Sequence, residues 1–365
     1  MIRIREDIRS ISPYRPGRPI AEVARAYGFD PADIVKLASN ESPLPPVRQA
    51  VAAMAEEVGA INRYPDNDCH DLRHALASQL GVEPEQTWIG GGSSELLRVI
   101  ATAVGGEGTT AVYGWPSFVV YRLATVVAGA APREIRLTDD HVHDLDAMHS
   151  AIDDTTTVVY VCNPNNPTGS YLPADEIVRF VQRIPDDVLV VIDEAYLEYV
   201  TADDYETALP LALSMSNVIV TRTFSKVYGL AALRVGYAIA QAETITELRK
   251  AQAPFSVTSV GQVGAIASLS ASDEIARRIA DNAQERSRLE SMFSERGLEF
   301  VPSQANFVYL RIGASTEATA DAFIRHGVIL RPFGEGWVRV SVGTPAENDR
   351  FLAALDAERD RLASS

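Results

Sequence analysis

The chain has 365 residues, of which 46% are hydrophobic, 22% charged and 7% aromatic. This composition is typical of a folded globular protein and excludes disordered, collagen-like and low-complexity chains. The 33 basic and 49 acidic residues give a net charge of −16. A surface of that charge repels nucleic-acid phosphates and anionic lipid, so we expect neither a nucleic acid nor a membrane as a partner.

The cysteine content and the N-terminus predict a cytoplasmic protein. Cys69 and Cys162 are too few for a disulfide framework, which fits a reducing compartment. The arginine-rich N-terminus carries Glu6 and Asp7 and lacks an apolar segment, so it resembles neither a transit peptide nor a secretory signal. The apolar runs are far shorter than the roughly 20 residues that a membrane span needs.

Taken in chain order, a proline-rich N-terminal arm over residues 1–36 is followed by alternating helix and strand patterns up to about residue 280. The predicted helices in this part include 47–58, 71–80 and 94–104. The seven predicted strands lie at 87–89, 110–113, 134–137, 157–162, 188–193, 217–221 and 235–240. Short β-branched runs that alternate with helices indicate a mainly parallel α/β sheet, so residues 37–280 are predicted to form a large domain.

After about residue 280 the pattern changes. A long charged helix is predicted at 281–296, followed by strands at 306–312, 328–331 and 337–342 and by helices at 316–326 and 345–363. This order predicts a smaller α+β domain over residues 281–365.

Lys226 is the first candidate catalytic residue. It ends the segment TRTFSK, directly after a predicted buried strand. A buried lysine is costly unless it is used, and burial or a nearby cation lowers the pKa of its amine so that it can act as a nucleophile. Lys226 could therefore form a Schiff base; the alternative is an ordinary surface lysine in a loop.

Asp193 and Tyr196 follow another predicted buried strand, in the segment DEAY. Ligands of α/β sheets bind at this end of the strands. Asp193 could keep the ring nitrogen of pyridoxal phosphate protonated, and Tyr196 could reach the phenolic oxygen of that cofactor. The alternative is an acid that ends a strand and caps the next turn.

Two loops could complete such a site. In CNPNNPTG, two X-Pro steps fix the backbone and would aim Asn166 at the same crevice. In GGGSSE, the glycines let an anion approach the backbone, and the following helix offers the free N–H groups of Ser93 and Ser94. The loop matches neither a Walker A motif nor a dinucleotide fingerprint.

The histidines do not predict a metal site. His70 and His74 are one helical turn apart, like a zinc-binding pair, but the glutamate base and a third ligand are missing. We therefore predict a solvated helix face and no metal.

The motifs NPNNPTG, DEAY, TFSKVYGLAALRVGY and VRVSVGT resemble, in this order, those of fold-type I pyridoxal-phosphate aminotransferases. Among these, the chain is most similar to histidinol-phosphate aminotransferases, and the resemblance runs from about Pro13 to the C-terminus. It implies a large domain with a mainly parallel seven-stranded sheet, a smaller α+β domain, pyridoxal 5′-phosphate as cofactor and transamination as the reaction.

The resemblance also implies a role for each matching residue. Lys226 would be the Schiff-base lysine and would move the substrate proton. Asp193 would pair with the pyridine nitrogen, while Asn166 and Tyr196 would bond the phenolic oxygen. The residues implied around the cofactor phosphate are Ser93, Ser94, Thr223, Ser225 and Arg234.

Two aromatic positions follow from the same resemblance. An aromatic ring stacks on the cofactor in this family, and we predict Trp115 for that place, with Phe118 as the alternative. The segment RYP resembles one whose tyrosine reaches the cofactor phosphate of the neighbouring subunit. Tyr64 would have that role, which implies a homodimer with composite active sites.

Substrate binding is implied for Arg331 and Arg339, which could clamp an anion on the predicted small domain. Tyr14 matches an N-terminal segment that covers the site, and Asn40 stands in a segment that departs from the usual family wording. Tyr121 and Phe255 could line an aromatic pocket, although core packing is predicted for both.

The predicted reaction converts L-histidinol phosphate and 2-oxoglutarate into imidazole acetol phosphate and L-glutamate, a step of histidine biosynthesis. An aromatic amino acid aminotransferase is the alternative within the same class. A phosphothreonine decarboxylase-like enzyme and a non-catalytic protein of this fold rank below it.

Overall fold

The computed structural model of the chain describes residues 2–13, 17–313, 315–334 and 336–363. The strands are β1 Val35–Lys36, β2 Thr87–Gly90, β3 Thr110–Trp115, β4 Ala131–Arg136, β5 Thr156–Cys162, β6 Leu189–Asp193, β7 Val218–Thr223, β8 Gly236–Ile239, β9 Phe300–Val301, β10 Phe307–Arg311, β11 Val328–Ile329, β12 Arg331–Pro332 and β13 Trp337–Ser341. The helices are α1 Glu6–Ser10, α2 Ile20–Tyr27, α3 Arg48–Glu57, α4 His70–Leu80, α5 Ser93–Val104, α6 Val120–Ala128, α7 Leu145–Ser150, α8 Ala174–Val181, α9 Leu209–Ser214, α10 Ala242–Leu248, α11 Ser259–Leu269, α12 Ser272–Glu295, α13 Thr316–Ile324 and α14 Pro345–Ala363.

The large sheet has seven strands in the order β2-β8-β7-β6-β5-β3-β4. Strand β8 runs antiparallel to both of its neighbours, and the other neighbouring pairs are parallel. The central strands β5, β6 and β7 are almost continuously buried, as expected where helices cover both faces of a parallel sheet. The prediction of an α/β fold with a mainly parallel seven-stranded sheet is confirmed.

The strand register brings the candidate residues together. Cys162 pairs with Asp193, and Asp193 pairs with Thr221, so the carboxyl ends of β5, β6 and β7 lie side by side. Each loop that leaves these ends carries one of the predicted motifs, and the loops meet at one edge of the sheet.

A smaller sheet has the order β12-β13-β10-β9 and is antiparallel. Alternate residues of β10 and β13, among them Val308 and Val340, pack into a core with α12, α13 and α14. Tyr309 and Trp337 belong to the opposite face and to a separate cluster. One face of this sheet therefore stabilises the smaller unit, and the other is available to line a crevice.

The N-terminal segment packs on the smaller unit. Strand β1 pairs in parallel with β11, and Val23 of α2 shares a cluster with Ile324 and Ile329. Helix α12 begins at Ser272 rather than at residue 281, because Asp273 and Glu274 favour a helix start there. The predicted division at residue 280 thus falls inside a continuous helix. Within the described ranges, no helix combines the length and apolarity needed to cross a bilayer.

Candidate active site

Asp193 ends β6 and lies at the centre of the sheet edge. Its side chain is only 1% exposed. The hydroxyl of Tyr121 donates a hydrogen bond to Oδ2 at 2.8 Å, while Oδ1 has no hydrogen-bond partner among the described residues. Burial raises the pKa of Asp193 to about 6. A buried carboxylate with one unsatisfied oxygen fits a protonated nitrogen, such as that of a pyridinium ring.

Lys226 follows β7 and reaches the same place. Its Nζ donates to the carbonyl oxygen of Asn40 at 3.2 Å. Burial and, to a smaller extent, the positive charge of Arg339 lower the pKa of the amine to about 7. Near pH 7 a large fraction of this amine is therefore neutral, which is the form that attacks a carbonyl or accepts a proton.

Tyr196 and Asn40 form the wall beside this lysine. The side-chain amide of Asn40 donates to the Tyr196 hydroxyl at 3.0 Å, and the Asn40 backbone N–H donates to Ser341 Oγ at 2.9 Å. The Tyr196 ring centroid lies 5.4 Å from Lys226 Nζ. Asn40 thus connects the loop after β1 to both Tyr196 and the end of β13, and the Tyr196 hydroxyl is held in one position.

Arg339 of β13 joins the two sheets. It is buried, its Nη1 donates to Asn166 Oδ1, and its Nη2 donates to the carbonyl oxygen of Ala38 at 2.7 Å. Arg331 of β12 is its partner in the strand register. Because two guanidinium groups come from neighbouring strands, this end of the crevice attracts anions.

A second anion site lies at the start of α5. Gly92 precedes the helix with φ +83°, and a Cβ there would lie 2.4 Å from Arg234 Nη2. Only glycine lets the arginine approach the first helical turn so closely. Arg234 Nη1 also donates to Ser225 Oγ at 3.4 Å, and the Ser225 N–H donates to Thr223 Oγ1 at 3.0 Å.

The first helical N–H groups, those of Ser93 and Ser94, have no acceptor within α5, and the helix dipole favours negative charge at this end. The five residues predicted around the phosphate are thus brought to one place that fits a phosphate group.

Aromatic side chains line the crevice between the sheets, which has a volume of about 1020 Å³. Tyr309 and Trp337 are stacked with centroids 4.6 Å apart, and the ring of His141 meets Trp337 edge-on at 4.5 Å. Trp115 and Phe118 both contribute to the lining. These rings lie in the same crevice as Arg331 and Arg339 and form an apolar surface beside the two cations.

Tyr64 lies apart from this crevice on the surface. It is 81% exposed and stacks on Phe255, which is 43% exposed, at 4.6 Å between centroids. Val58 and Ile61 are exposed nearby in sequence. The prediction that Phe255 packs in the core is wrong, because its loop backbone, with φ +57°, leaves the ring on the surface.

Tyr121 does more than the core packing predicted for it. It is fully buried, as predicted, but its hydroxyl bonds Asp193. Its position in the first turn of α6, the helix that follows β3, places it at the ligand edge of the sheet, and that position is the signal that could have identified it. Tyr14 lies outside the described residues.

The two helix histidines do not contact the crevice residues described above. The rings of His70 and His74 lie 4.0 Å apart at the exposed start of α4. In the described parts of the chain, no group of three or more histidine, cysteine, aspartate or glutamate residues could hold a metal ion.

Comparison with known proteins identifies the family. The sequence pattern described as "Aminotransferase class I and II" matches residues 32–355. Histidinol-phosphate aminotransferase 1 of Cupriavidus pinatubonensis is 43% identical over 356 residues, which cover 96% of this chain and 94% of the relative. An aromatic amino acid aminotransferase of Mycolicibacterium paratuberculosis is 44% identical over 352 residues, with 96% of each chain covered.

A solved structure agrees with these relatives. The histidinol-phosphate aminotransferase of Sinorhizobium meliloti, in complex with pyridoxal-5′-phosphate, superimposes with a TM-score of 0.90 at 29% identity, covering 100% of this chain and 99% of that one. The predictions of an aminotransferase, of its fold and of pyridoxal phosphate as cofactor are confirmed. The chain belongs to the aminotransferase class I and II family.

Proposed function

We propose that the protein is a histidinol-phosphate aminotransferase. It would transfer the amino group of L-histidinol phosphate to 2-oxoglutarate and release imidazole acetol phosphate and L-glutamate, a step of histidine biosynthesis. The observation that carries this proposal is the pair Arg339 and Arg331 on neighbouring strands beside an aromatic wall. A phosphate dianion gains strong hydrogen bonds from two guanidinium groups, and the faces of an imidazole ring can pack on aromatic side chains.

The cofactor would be held at its ring and at its phosphate. Asp193 would accept the ring N–H through Oδ1, and Tyr196 with Asn166 would bond the phenolic oxygen. The phosphate group would lie in the cup formed by the residues Ser93, Ser94, Thr223, Ser225 and Arg234. The unsatisfied oxygen of Asp193 and the close approach of Arg234 to Gly92 support this arrangement.

An aromatic side chain would cover the cofactor ring. Phe118 meets Tyr121 edge-on at 5.8 Å, and Tyr121 bonds Asp193, so Phe118 is separated from Asp193 by a single ring. Trp115 instead meets Tyr113, at 6.5 Å. We therefore favour Phe118 over Trp115 for the stacking position.

The protein's own chemistry would centre on Lys226. Bound pyridoxal phosphate supplies an electron sink for the bond that breaks at the donor Cα. Lys226 Nζ, with its pKa near 7, would take up the proton that leaves the donor Cα and would deliver it to C4′ of the cofactor. Arg339 would hold the anionic group of the donor, and the crevice walls would limit access of water.

We also propose a cytoplasmic homodimer with composite sites. Tyr64 and Phe255 are exposed apolar rings, and Val58 and Ile61 expose further apolar surface. A patch of this kind is typical of a surface that another chain covers. Tyr64 would then reach the phosphate cup of the partner, and Asn40 would remain beside Tyr196 and Lys226 of its own subunit.

An aromatic amino acid aminotransferase is the second candidate. It is supported by the relative of that name at 44% identity and by the stacked pair Tyr309 and Trp337, which suits a phenyl ring as well as an imidazole. The two candidates differ in the anion that Arg339 and Arg331 would hold, which is a phosphate in one and a carboxylate in the other.

The test is a steady-state comparison of donors with purified, cofactor-loaded enzyme and 2-oxoglutarate. We expect kcat/KM for histidinol phosphate to exceed that for phenylalanine by at least about 100-fold, since a phosphate should gain more from two arginines than a carboxylate does. A preference for phenylalanine would make the second candidate correct. Formation of carbon dioxide from phosphothreonine would contradict both.

A further inference from the structure

Tyr121 is held in place by its surroundings. The side chain is fully buried, its ring stacks on Tyr160 with centroids 4.9 Å apart and an angle of 11°, and Phe118 meets it edge-on at 5.8 Å. Packing against two rings leaves the hydroxyl little freedom. It donates to Asp193 Oδ2 at 2.8 Å.

The two oxygens of Asp193 therefore differ. Oδ2 accepts the Tyr121 hydrogen bond, whereas Oδ1 is buried without a partner among the described residues. A carboxyl group that is fixed at one oxygen cannot rotate freely to satisfy the other. The direction in which Oδ1 points is thus set by Tyr121.

We propose that Tyr121 is a positioning residue, whose hydroxyl occupies Oδ2 of Asp193, directs Oδ1 to the ring nitrogen of pyridoxal phosphate and keeps the carboxyl group ionised. This inference rests on the proposed role of Asp193. It assigns to Tyr121 a function that burial alone would not require.

The electrostatics of the site support this role. Burial raises the pKa of Asp193 to about 6, and the Tyr121 hydrogen bond opposes that rise. The other titratable groups that act on this carboxyl group are Cys162 of β5, Glu194 and Tyr196 after β6, and Lys226 after β7. Without the Tyr121 hydroxyl, Asp193 would become protonated at a higher pH and would lose its attraction for a protonated ring.

The experiment compares Tyr121→Phe with Tyr160→Phe. Tyr160 is the matched control, because it belongs to the same stacked pair and its hydroxyl has no hydrogen-bond partner among the described residues. The dissociation constant of pyridoxal phosphate from each apoprotein is measured by fluorescence between pH 5.5 and 8.5. Urea unfolding of the apoproteins checks that both variants fold.

We expect Tyr121→Phe to bind the cofactor about tenfold more weakly near pH 6.5, with the acid limb of its binding curve moved to higher pH. Tyr160→Phe should bind like the unmodified protein. With 1-deazapyridoxal phosphate, in which carbon replaces the ring nitrogen, Tyr121→Phe and the unmodified protein should bind equally well. A merely structural role would weaken binding of both ligands alike and would overturn the inference.

Asp193→Asn separates this inference from the proposed function. If Asp193→Asn weakens binding of pyridoxal phosphate and Tyr121→Phe does not, Asp193 keeps its role and the inference about Tyr121 is wrong. If Asp193→Asn binds pyridoxal phosphate as tightly as the unmodified protein, the proposed role of Asp193 fails, and the role of Tyr121 fails with it.

Discussion

Arg339 of the small sheet donates a hydrogen bond to the side-chain oxygen of Asn166, which belongs to the loop after β5 of the large sheet. The same guanidinium donates to the carbonyl oxygen of Ala38 at 2.7 Å. One side chain therefore joins the large sheet, the small sheet and the segment after β1. The guanidinium group that we propose to bind the donor anion is thus in direct contact with Asn166. Asn166 is the residue proposed to bond the phenolic oxygen of the cofactor.

The first prediction concerns this arginine. Arg339→Lys keeps the charge but loses the paired N–H groups, so kcat/KM for histidinol phosphate should fall roughly 100-fold. The matched control is Arg311→Lys, because Arg311 lies on the rim of the same crevice and is paired with Glu299 at 2.9 Å. Steady-state kinetics of both variants is the measurement. Equal losses in the two variants would show that Arg339 has no special role.

The second prediction concerns the pKa of Lys226. Carbamylation by cyanate modifies neutral amines, so in the apoprotein the rate at Lys226 should rise with pH and level off above about pH 7. Arg339→Gln removes a positive charge that disfavours the ammonium form, and the curve should move to higher pH. Mass spectrometry resolves all three lysines of the chain, and Lys36 and Lys250, which pair with Glu41 and Glu247, serve as references. A curve unchanged by Arg339→Gln would contradict this coupling.

The third prediction concerns the phosphate cup. Gly92→Ala places a Cβ against Arg234 and should weaken binding of pyridoxal phosphate at least about tenfold. Gly108→Ala is the control, since Gly108 has the same φ of +83° but nothing within 4 Å of the added carbon. Both variants carry the backbone strain, and only the first disturbs the cup. If pyridoxal phosphate dissociates from the Gly92→Ala and Gly108→Ala apoproteins with similar constants, the approach of Arg234 to Gly92 is not needed to bind the cofactor phosphate.

The fourth prediction concerns the composite site. Lys226→Ala and Tyr64→Ala subunits should each form weakly active or inactive dimers. In a mixed dimer, the subunit that keeps Lys226 receives an intact Tyr64 from its partner, so mixing the two variants should restore activity to a substantial fraction of the unmodified level. No gain on mixing, with mixed dimers confirmed by native mass spectrometry, would place Tyr64 in its own subunit's site. Full activity of the Tyr64→Ala dimer by itself would place Tyr64 outside the site.

Much of the fold could be predicted from the sequence, because its determinants are local. Runs such as those of β5, β6 and β7 are rich in β-branched residues and are bounded by turns, and motif residues stand at or directly after their ends. The start of α12 differs from the predicted one at residue 281, although Ile275 and Ile279 lie one helical turn apart and Asp273 and Glu274 favour a helix start. Ile275 and Ile279 pack against the core of the large domain, and this turn therefore continues into the helix of the smaller one.

The parts of the site that escaped prediction depend on three-dimensional contacts. The Tyr121 hydroxyl meets Asp193, which is 72 residues away in the chain, and no spacing rule relates the two. The aromatic crevice wall combines His141, in the loop after β4 of the large sheet, with Trp337, which begins β13 of the small sheet. By contrast, Asn166, Asp193 and Lys226 could be placed because parallel strands end at a common edge.

The most direct test of the central claim is a single-turnover reaction of the cofactor-loaded enzyme without any keto acid. The absorbance of the bound cofactor is followed after addition of histidinol phosphate or of phenylalanine. We predict fast conversion at low concentrations of histidinol phosphate and slow conversion by phenylalanine. Faster conversion by phenylalanine would contradict the proposed function and would assign Arg339 to a carboxylate.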